Sequence, residues 1–291
     1  MDPESVPDAL SYIKSGVTYL MIDQYDEAIS DFTEAIRLEP NNASAYSSRG
    51  YAYMRKGQYD DAVSDFTEAI RLDPNDTSAY SCRGNTYALE GQFDAAINDF
   101  TELIKLTPND VGVYKSRGDL YGAKGQFDAA ISDLSEAIKL DPNDASAYSS
   151  RGTAYAAEGQ YDAAISDFTE LIRLDPNNTP SYFDRGEACL RNGQYDAAIN
   201  DYTEAIRLDP NNANAYSNRG IANKSKGRLD AAIDDFTEAI RLDPDYAGAY
   251  GVRGRVYRQL GQKKQAIQDF EKALSLDSDL DWVRQELEEL R

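Results

Sequence analysis

Residues 145–178 read ASAYSSRGTAYAAEGQYDAAISDFTELIRLDPNN, and this stretch decides the fold. It describes one hairpin of two helices. Gly159, the fifteenth residue, ends the first helix as a C-cap does. Asp162 opens the second, where a carboxylate suits the positive helix N-terminus. Ala164, Ile165, Phe168, Leu171 and Ile172 follow at helical spacing, and Leu-Asp-Pro-Asn then stops the helix and turns the chain. A shift of thirty-four residues brings the same landmarks back: Pro40, Pro74, Pro108, Pro142, Pro176, Pro210 and Pro244, and Gly16, Gly50, Gly84, Gly118, Gly152, Gly186, Gly220 and Gly254. A fixed period of that size marks a stacked array, in which each unit buries too little surface alone and is completed by its neighbours.

Working outward, eight units follow a lead-in at 1–8: 9–42, 43–76, 77–110, 111–144, 145–178, 179–212, 213–246 and 247–280. Residues 281–291, DWVRQELEELR, read as a last helix that caps the array. Trp282, Val283, Leu287 and Leu290 cover the open side of the eighth unit, with Glu286, Glu288 and Glu289 facing water. Gly152 and Ala164, small in every unit, stand where two helices approach closely. The aromatics, Tyr148, Tyr155 and Phe168 and their equivalents, read as core and not as a stacking platform for bases, since their spacing is helical.

Composition excludes several functions. The chain has 51 acidic and 30 basic side chains, no histidine and a formal charge of −21. That balance disfavours nucleic acid or an anionic membrane as partner. Without histidine there is no imidazole base, triad or metal ligand. Cys82 and Cys189 lie three repeats apart, too far for a disulfide or a shared zinc site. No phosphate-binding GxxxxGK[ST] occurs. No cofactor is expected, and catalysis is not. MDPESVPDAL lacks the basic start and apolar core of a signal peptide, and no apolar run approaches the roughly 20 residues of a membrane span. A cytoplasmic protein is expected.

The pattern Tyr-x2-Arg-Gly-x2-Tyr, Ala-x3-Phe-x2-Ala, Pro resembles the tetratricopeptide repeat. Tyr46, Gly50, Tyr53, Ala62, Phe66, Ala69 and Pro74 fill its slots in the second unit, and the match covers residues 9–280. The resemblance implies an all-α fold, a right-handed superhelical α-solenoid of antiparallel helix pairs whose first helices line a concave groove. Such proteins usually bind peptides or other proteins and are rarely enzymes. Two departures stand out. Ser278 replaces the proline of the eighth unit. The leucine expected before the glycine is arginine at 49, 83, 117, 151, 185, 219 and 253, with Ser15 in the first unit. Every unit also has an aspartate before its second-helix aromatic slot, from Asp31 to Asp269. These residues predict a ladder of ion pairs. Pairing each aspartate with the arginine of the next unit accounts for Ser15, which has no unit before it in this sequence; pairing within one unit leaves Ser15 unexplained, and an arginine that lays its stem along the interface with its charge in water makes no ladder.

The resemblance also points the second, fifth, ninth, twelfth and thirteenth positions of each unit towards the groove. At the N-terminal end these include Leu10, Val17, Leu20 and Met21, then Tyr51 and Met54. That apolar patch fits a hydrophobic anchor, a second copy of the chain, or burial beneath residues 1–8. The middle is small and polar, with Asn85 and Thr153 and, between them, Lys115 and Asp119; it suits an extended peptide backbone. Phe183, Glu187 and Arg191 follow, then Lys224, Arg255 and Arg258. Residues 221–264 hold nine basic and six acidic side chains, a local +3, and an acidic segment or terminal carboxylate of a partner is expected there. Asn218 matches the middle asparagine of the clamp by which some tetratricopeptide proteins hold a chaperone's terminal carboxylate, but Phe183, Glu187, Gly248 and Val252 occupy its other places. The expected function is a non-enzymatic interaction scaffold; the alternative is a self-associating array using the apolar N-terminal face or the ends.

Overall fold

The structure, a computed structural model, describes residues 8–291; the lead-in at 1–7, and any covering of the apolar patch by it, lie outside the described residues. Among the described residues every regular element is an α-helix. The described residues form two compact units, one up to Ala147 and one from Tyr148 to Arg291. The first contains α1 (Ala9–Met21), α2 (Tyr25–Leu38), α3 (Ala43–Arg55), α4 (Tyr59–Leu72), α5 (Thr77–Leu89), α6 (Phe93–Leu106), α7 (Val111–Ala123) and α8 (Phe127–Leu140). Helix α9 (Ala145–Ala157) lies almost wholly in the second unit. It is followed by α10 (Tyr161–Leu174), α11 (Thr179–Arg191), α12 (Tyr195–Leu208), α13 (Ala213–Ser225), α14 (Leu229–Leu242), α15 (Ala247–Gln259), α16 (Lys263–Leu276) and α17 (Asp281–Leu290). Within each unit, the helices of a hairpin pack on each other, and the second helix of one hairpin packs on the first helix of the next.

Local chemistry sets these boundaries. Most first helices begin after a side-chain cap: Asn42 Oδ1 accepts from the Ala45 N–H at 3.1 Å and Asp76 Oδ1 from the Ala79 N–H at 2.9 Å. They end at a left-handed residue, Gly57 at φ +76° and Gly159 at φ +76°, with Asp23 at φ +57° in the first hairpin. Second helices such as α4 lack a side-chain cap but carry Asp60 and Asp61 in the first turn and Arg71 in the last, which complements the helix dipole. Their apolar stripe fills the core; Ala62, Phe66 and Ala69 are fully buried. The close approach that the repeated glycine permits is visible at Gly152, where a Cβ would stand 2.8 Å from the Phe168 ring.

The arginine–aspartate ladder exists, but its pairing corrects the expectation. Arg49 Nε and NH2 donate to Asp65 at 2.7 and 2.8 Å, and both residues lie in one hairpin. Arg83–Asp99, Arg117–Asp133, Arg151–Asp167, Arg185–Asp201, Arg219–Asp235 and Arg253–Asp269 repeat the arrangement. The arginine's helix faces the aspartate's helix across the hairpin, so the carboxylate of the preceding hairpin is not the one met. What crosses to the preceding hairpin is the third arm: NH1 of Arg49 donates to Thr33 at 3.0 Å, and Arg83, Arg117, Arg185, Arg219 and Arg253 meet Thr67, Thr101, Thr169, Thr203 and Thr237 in the same way. Each aspartate is buried and each guanidinium mostly so. The bond to Asp65 outweighs burial and raises the Arg49 pKa. Tyr46 and Tyr53 lie under the Arg49 guanidinium at 5.7 and 5.9 Å from the ring centres. In the first hairpin Ser15 supplies no guanidinium, and among the described residues Asp31 Oδ2 is buried without a hydrogen bond.

Candidate functional site

On the first helices, the repeated glycine is buried and the repeated tyrosine and arginine are half-buried, while most of the groove positions singled out from the sequence are half-buried or exposed. In the N-terminal unit Val17 is 41% and Met21 82% exposed, beside exposed Leu10 and Ile22. Tyr51 and Met54 are half-buried against the Phe66 cluster. The Tyr51 hydroxyl accepts from Arg55 at 3.1 Å, and Arg55 also meets Asp23 at 3.3 Å. Asn85 and Asp119 are exposed. Lys115 is not a free charge, because its Nζ donates to Asp144 at 2.8 Å. Burial works against the Asp144 carboxylate, but Lys115, Ser146 and the Ala147 N–H overcome it and lower its pKa.

In the C-terminal unit, α9 and α11 bound a cavity of about 410 Å³ that brings Thr153, Glu187 and Arg191 together with Ala156, Ala157, Tyr161 and Asp184. Small residues open it: Ala156 stands where the first two repeats have Leu20 and Met54. Thr153 bonds back to the Ser149 carbonyl at 2.9 Å, and Arg191 meets Glu187 at 3.2 Å. Asp184, which sequence reasoning passed over, is the unusual member. It is half-buried, and among the described residues it makes no hydrogen bond or ion pair. Burial raises its pKa and the Glu187 charge adds to that. The corresponding residues Ser48, Cys82, Ser116 and Ser150 are neutral, and that departure is the signal in the sequence.

Phe183 packs edge-on against Tyr202, ring centres 5.6 Å apart. Tyr202 is fully buried in a slot that phenylalanine fills in most repeats, and its added hydroxyl makes no hydrogen bond of ordinary length. Burial and Glu187 raise its pKa, while nearby Asn218 works the other way. Burial also pushes the Cys189 thiol up to about 11.

The basic end differs from the expectation. Arg255 Nε donates to Glu286 Oε1 at 2.7 Å, and its guanidinium lies 4.1 Å from the Trp282 ring centre. Arg258 donates to Glu286 and, at 2.8 Å, to Glu289. Glu286 and Glu289 therefore do not simply face water: α17 turns them towards α15. Burial opposes the charge on Glu286, but Arg258 and Arg255 prevail and lower its pKa. Lys224 on α13 is half-buried with no ion pair among the described residues, and its pKa falls through burial and then the Arg255 charge. The apolar side of α17 caps as expected: Val283 and Leu287 are buried with Phe270 and Ala273, and Trp282 and Leu290 pack beside them. Among the described residues no helix is long and apolar enough to cross a membrane.

Known proteins place this geometry. Models of the TPR repeat match residues 18–57, 50–91, 84–125, 118–159 and 186–227. Tetratricopeptide repeat models match 145–178, 213–246, 247–280 and 168–200. No curated protein sequence matches the chain. Among solved structures, the C-terminal part of a TPR repeat-containing protein from Cytophaga hutchinsonii is 19% identical, with a TM-score of 0.64, over 94% of this chain and 98% of that one. A structure of MamA is 30% identical, with a TM-score of 0.54, over 55% of this chain and 94% of that one. YrrB, described as a TPR protein with an unusual peptide-binding site, is 23% identical, with a TM-score of 0.57, over 63% and 95%. With hairpins that recur every thirty-four residues and family models that together span residues 18–280, the chain belongs to the tetratricopeptide repeat family.

Proposed function

We propose that the chain is a non-enzymatic, cytoplasmic scaffold that binds a peptide or protein segment along the accessible face of its first helices. One observation carries this reading. The repeated Gly50 and Ala62 and their equivalents are buried in every hairpin, whereas Val17, Met21, Tyr51, Met54, Asn85, Asp119, Thr153, Phe183, Glu187 and Arg191 change between hairpins and are half-buried or exposed. Variation on an accessible face is what selective binding requires. The peptide-binding site named for YrrB gives a precedent in this architecture. The cavity lined by Thr153, Asp184, Glu187 and Arg191 lies on that face, and Lys224, Arg255 and Arg258 add a basic end suited to an acidic segment or terminal carboxylate.

The test is selection of peptides on the immobilised full chain. Retained peptides are expected to lose at least tenfold in affinity on Glu187→Ala or Arg191→Ala and to keep it on Arg71→Ala, which lies on a second helix. Indifference to all three changes would end the reading. The exposed Leu10, Val17, Met21 and Ile22 patch favours a second reading, association of copies through the N-terminal face. Light scattering separates the two: a mass that rises with concentration, and stops rising in Met21→Ser, supports self-association.

A further inference from the structure

The basic end is already occupied by the chain itself. Arg255 and Arg258 present their guanidinium groups to carboxylates one helical turn apart on α17, Glu286 and Glu289. The two arginines remain more than one third exposed, so their outer edges are open to solvent. Lys224 brings a third cation to the same place without an ion pair. Three cations thus meet two carboxylates, and both carboxylates belong to α17. Helix α15 is also thinned where α17 lies: a Cβ on Gly251 would stand 2.7 Å from Trp282. The equivalent residues in the other hairpins, Ile13, Ser47, Ser81, Lys115, Ser149, Phe183 and Ser217, all carry side chains. A tryptophan and two glutamates therefore sit on a surface shaped and charged to receive them.

We propose that the polar edge of α17 is a built-in competitor for an acidic partner segment: Glu286 and Glu289 hold Arg255 and Arg258 closed, and a partner rich in glutamate or aspartate binds by exchanging its carboxylates for theirs. This rests on the scaffold reading above and names its partner chemistry and its regulation. The exchange keeps the number of charge-assisted bonds unchanged, so acidic partners compete on local concentration and on the surplus cation, Lys224. Val283 and Leu287, buried with Phe270 and Ala273, keep α17 seated while the glutamates are displaced. The device is a release of contacts and not an unfolding of the helix.

The experiment uses the full chain, fluorescein-labelled hexaglutamate as probe and fluorescence anisotropy at low ionic strength. Glu286→Gln with Glu289→Gln is expected to bind the probe at least tenfold more tightly than the unaltered chain. Adding Arg255→Ala and Arg258→Ala is expected to abolish the gain, as is raised salt. Trp282, the sole tryptophan, reports whether α17 stays seated. Its emission maximum is expected to match the parent's in the double glutamine variant. Equal affinity of variant and parent at matched emission overturns the proposal. Should the variant's emission shift, the parent decides. Saturating hexaglutamate must then perturb Trp282 emission, since Arg255 leaves the indole, while hexalysine does not; no perturbation at saturation overturns the proposal. Failure here, with peptide capture still sensitive to Glu187 and Arg191, removes the competitor and leaves the scaffold.

Discussion

Arg49 holds Asp65 of its own hairpin with two bonds of 2.7 and 2.8 Å and gives its remaining arm to Thr33 of the hairpin before. The carboxylate is buried, so losing the guanidinium strands a charge. Arg49→Ala is expected to cost about 3 kcal/mol in a urea titration followed by circular dichroism. Replacing both partners with apolar residues, Arg49→Met and Asp65→Leu, is expected to recover most of that loss. A single variant that unfolds like the parent would show the pair to be decoration.

The first hairpin supplies the reciprocal test. Among the described residues Asp31 Oδ2 is buried without a hydrogen-bond partner, and Ser15 stands where seven other hairpins have arginine. Ser15→Arg is expected to stabilise the chain by about 1.5 kcal/mol, the usual worth of a hydrogen bond to a charged group. The gain should vanish in Asp31→Asn, which differential scanning calorimetry can follow.

Asp184 predicts a dependence on pH. Its folded pKa lies above the ordinary value of 3.8, through burial and then Glu187. A carboxyl raised in this way favours the fold below the unfolded pKa and loses that contribution as pH rises through the folded pKa. Asp184→Asn should therefore melt higher than the parent at pH 7, and the difference should shrink towards zero below pH 3.8. A constant offset across that range would mean that the charge is not the cause.

Two glycines on first helices should respond with opposite sign. A Cβ at Gly152 meets the Phe168 ring at 2.8 Å, and one at Gly122 meets nothing within 4 Å. Gly152→Ala is expected to destabilise by about 1–3 kcal/mol through overpacking. Gly122→Ala is expected to stabilise by about 1 kcal/mol through helix propensity. Urea midpoints of the two variants measure both.

Periodicity made the hairpins legible. Gly57, Phe66 and Pro74 return every thirty-four residues because each has one geometric task, and the helices fall where those tasks require. Partner choice was not legible in the same way. Arg83 is eighteen residues from Asp65 and sixteen from Asp99, and spacing alone does not say which carboxylate a guanidinium faces. The threonine contact was hidden for the same reason, since Thr67 reads as a solvent-facing residue of α4 until α5 is laid beside it. Glu286 looks like a water-facing residue on a wheel of α17 alone, and Arg255 and Arg258 of α15 alter that. Asp184 was overlooked because one aspartate among serines looks like a solvated side chain; only the fold shows it half-buried beside the cavity that Thr153, Glu187 and Arg191 line.

The sixteen-residue reach of six arginines, forward to an aspartate and back to a threonine, makes joints of this kind interchangeable. Excising residues 77–110 would bring Arg117 against Thr67 in place of Thr101, with the same chemistry on both sides. Length is thereby uncoupled from interface: unequal exchange between copies can lengthen or shorten the chain without a new contact having to evolve. Helix α17 has no such freedom, because Glu286 and Glu289 pair with Arg255 and Arg258, and no other hairpin carries arginine at both of those positions.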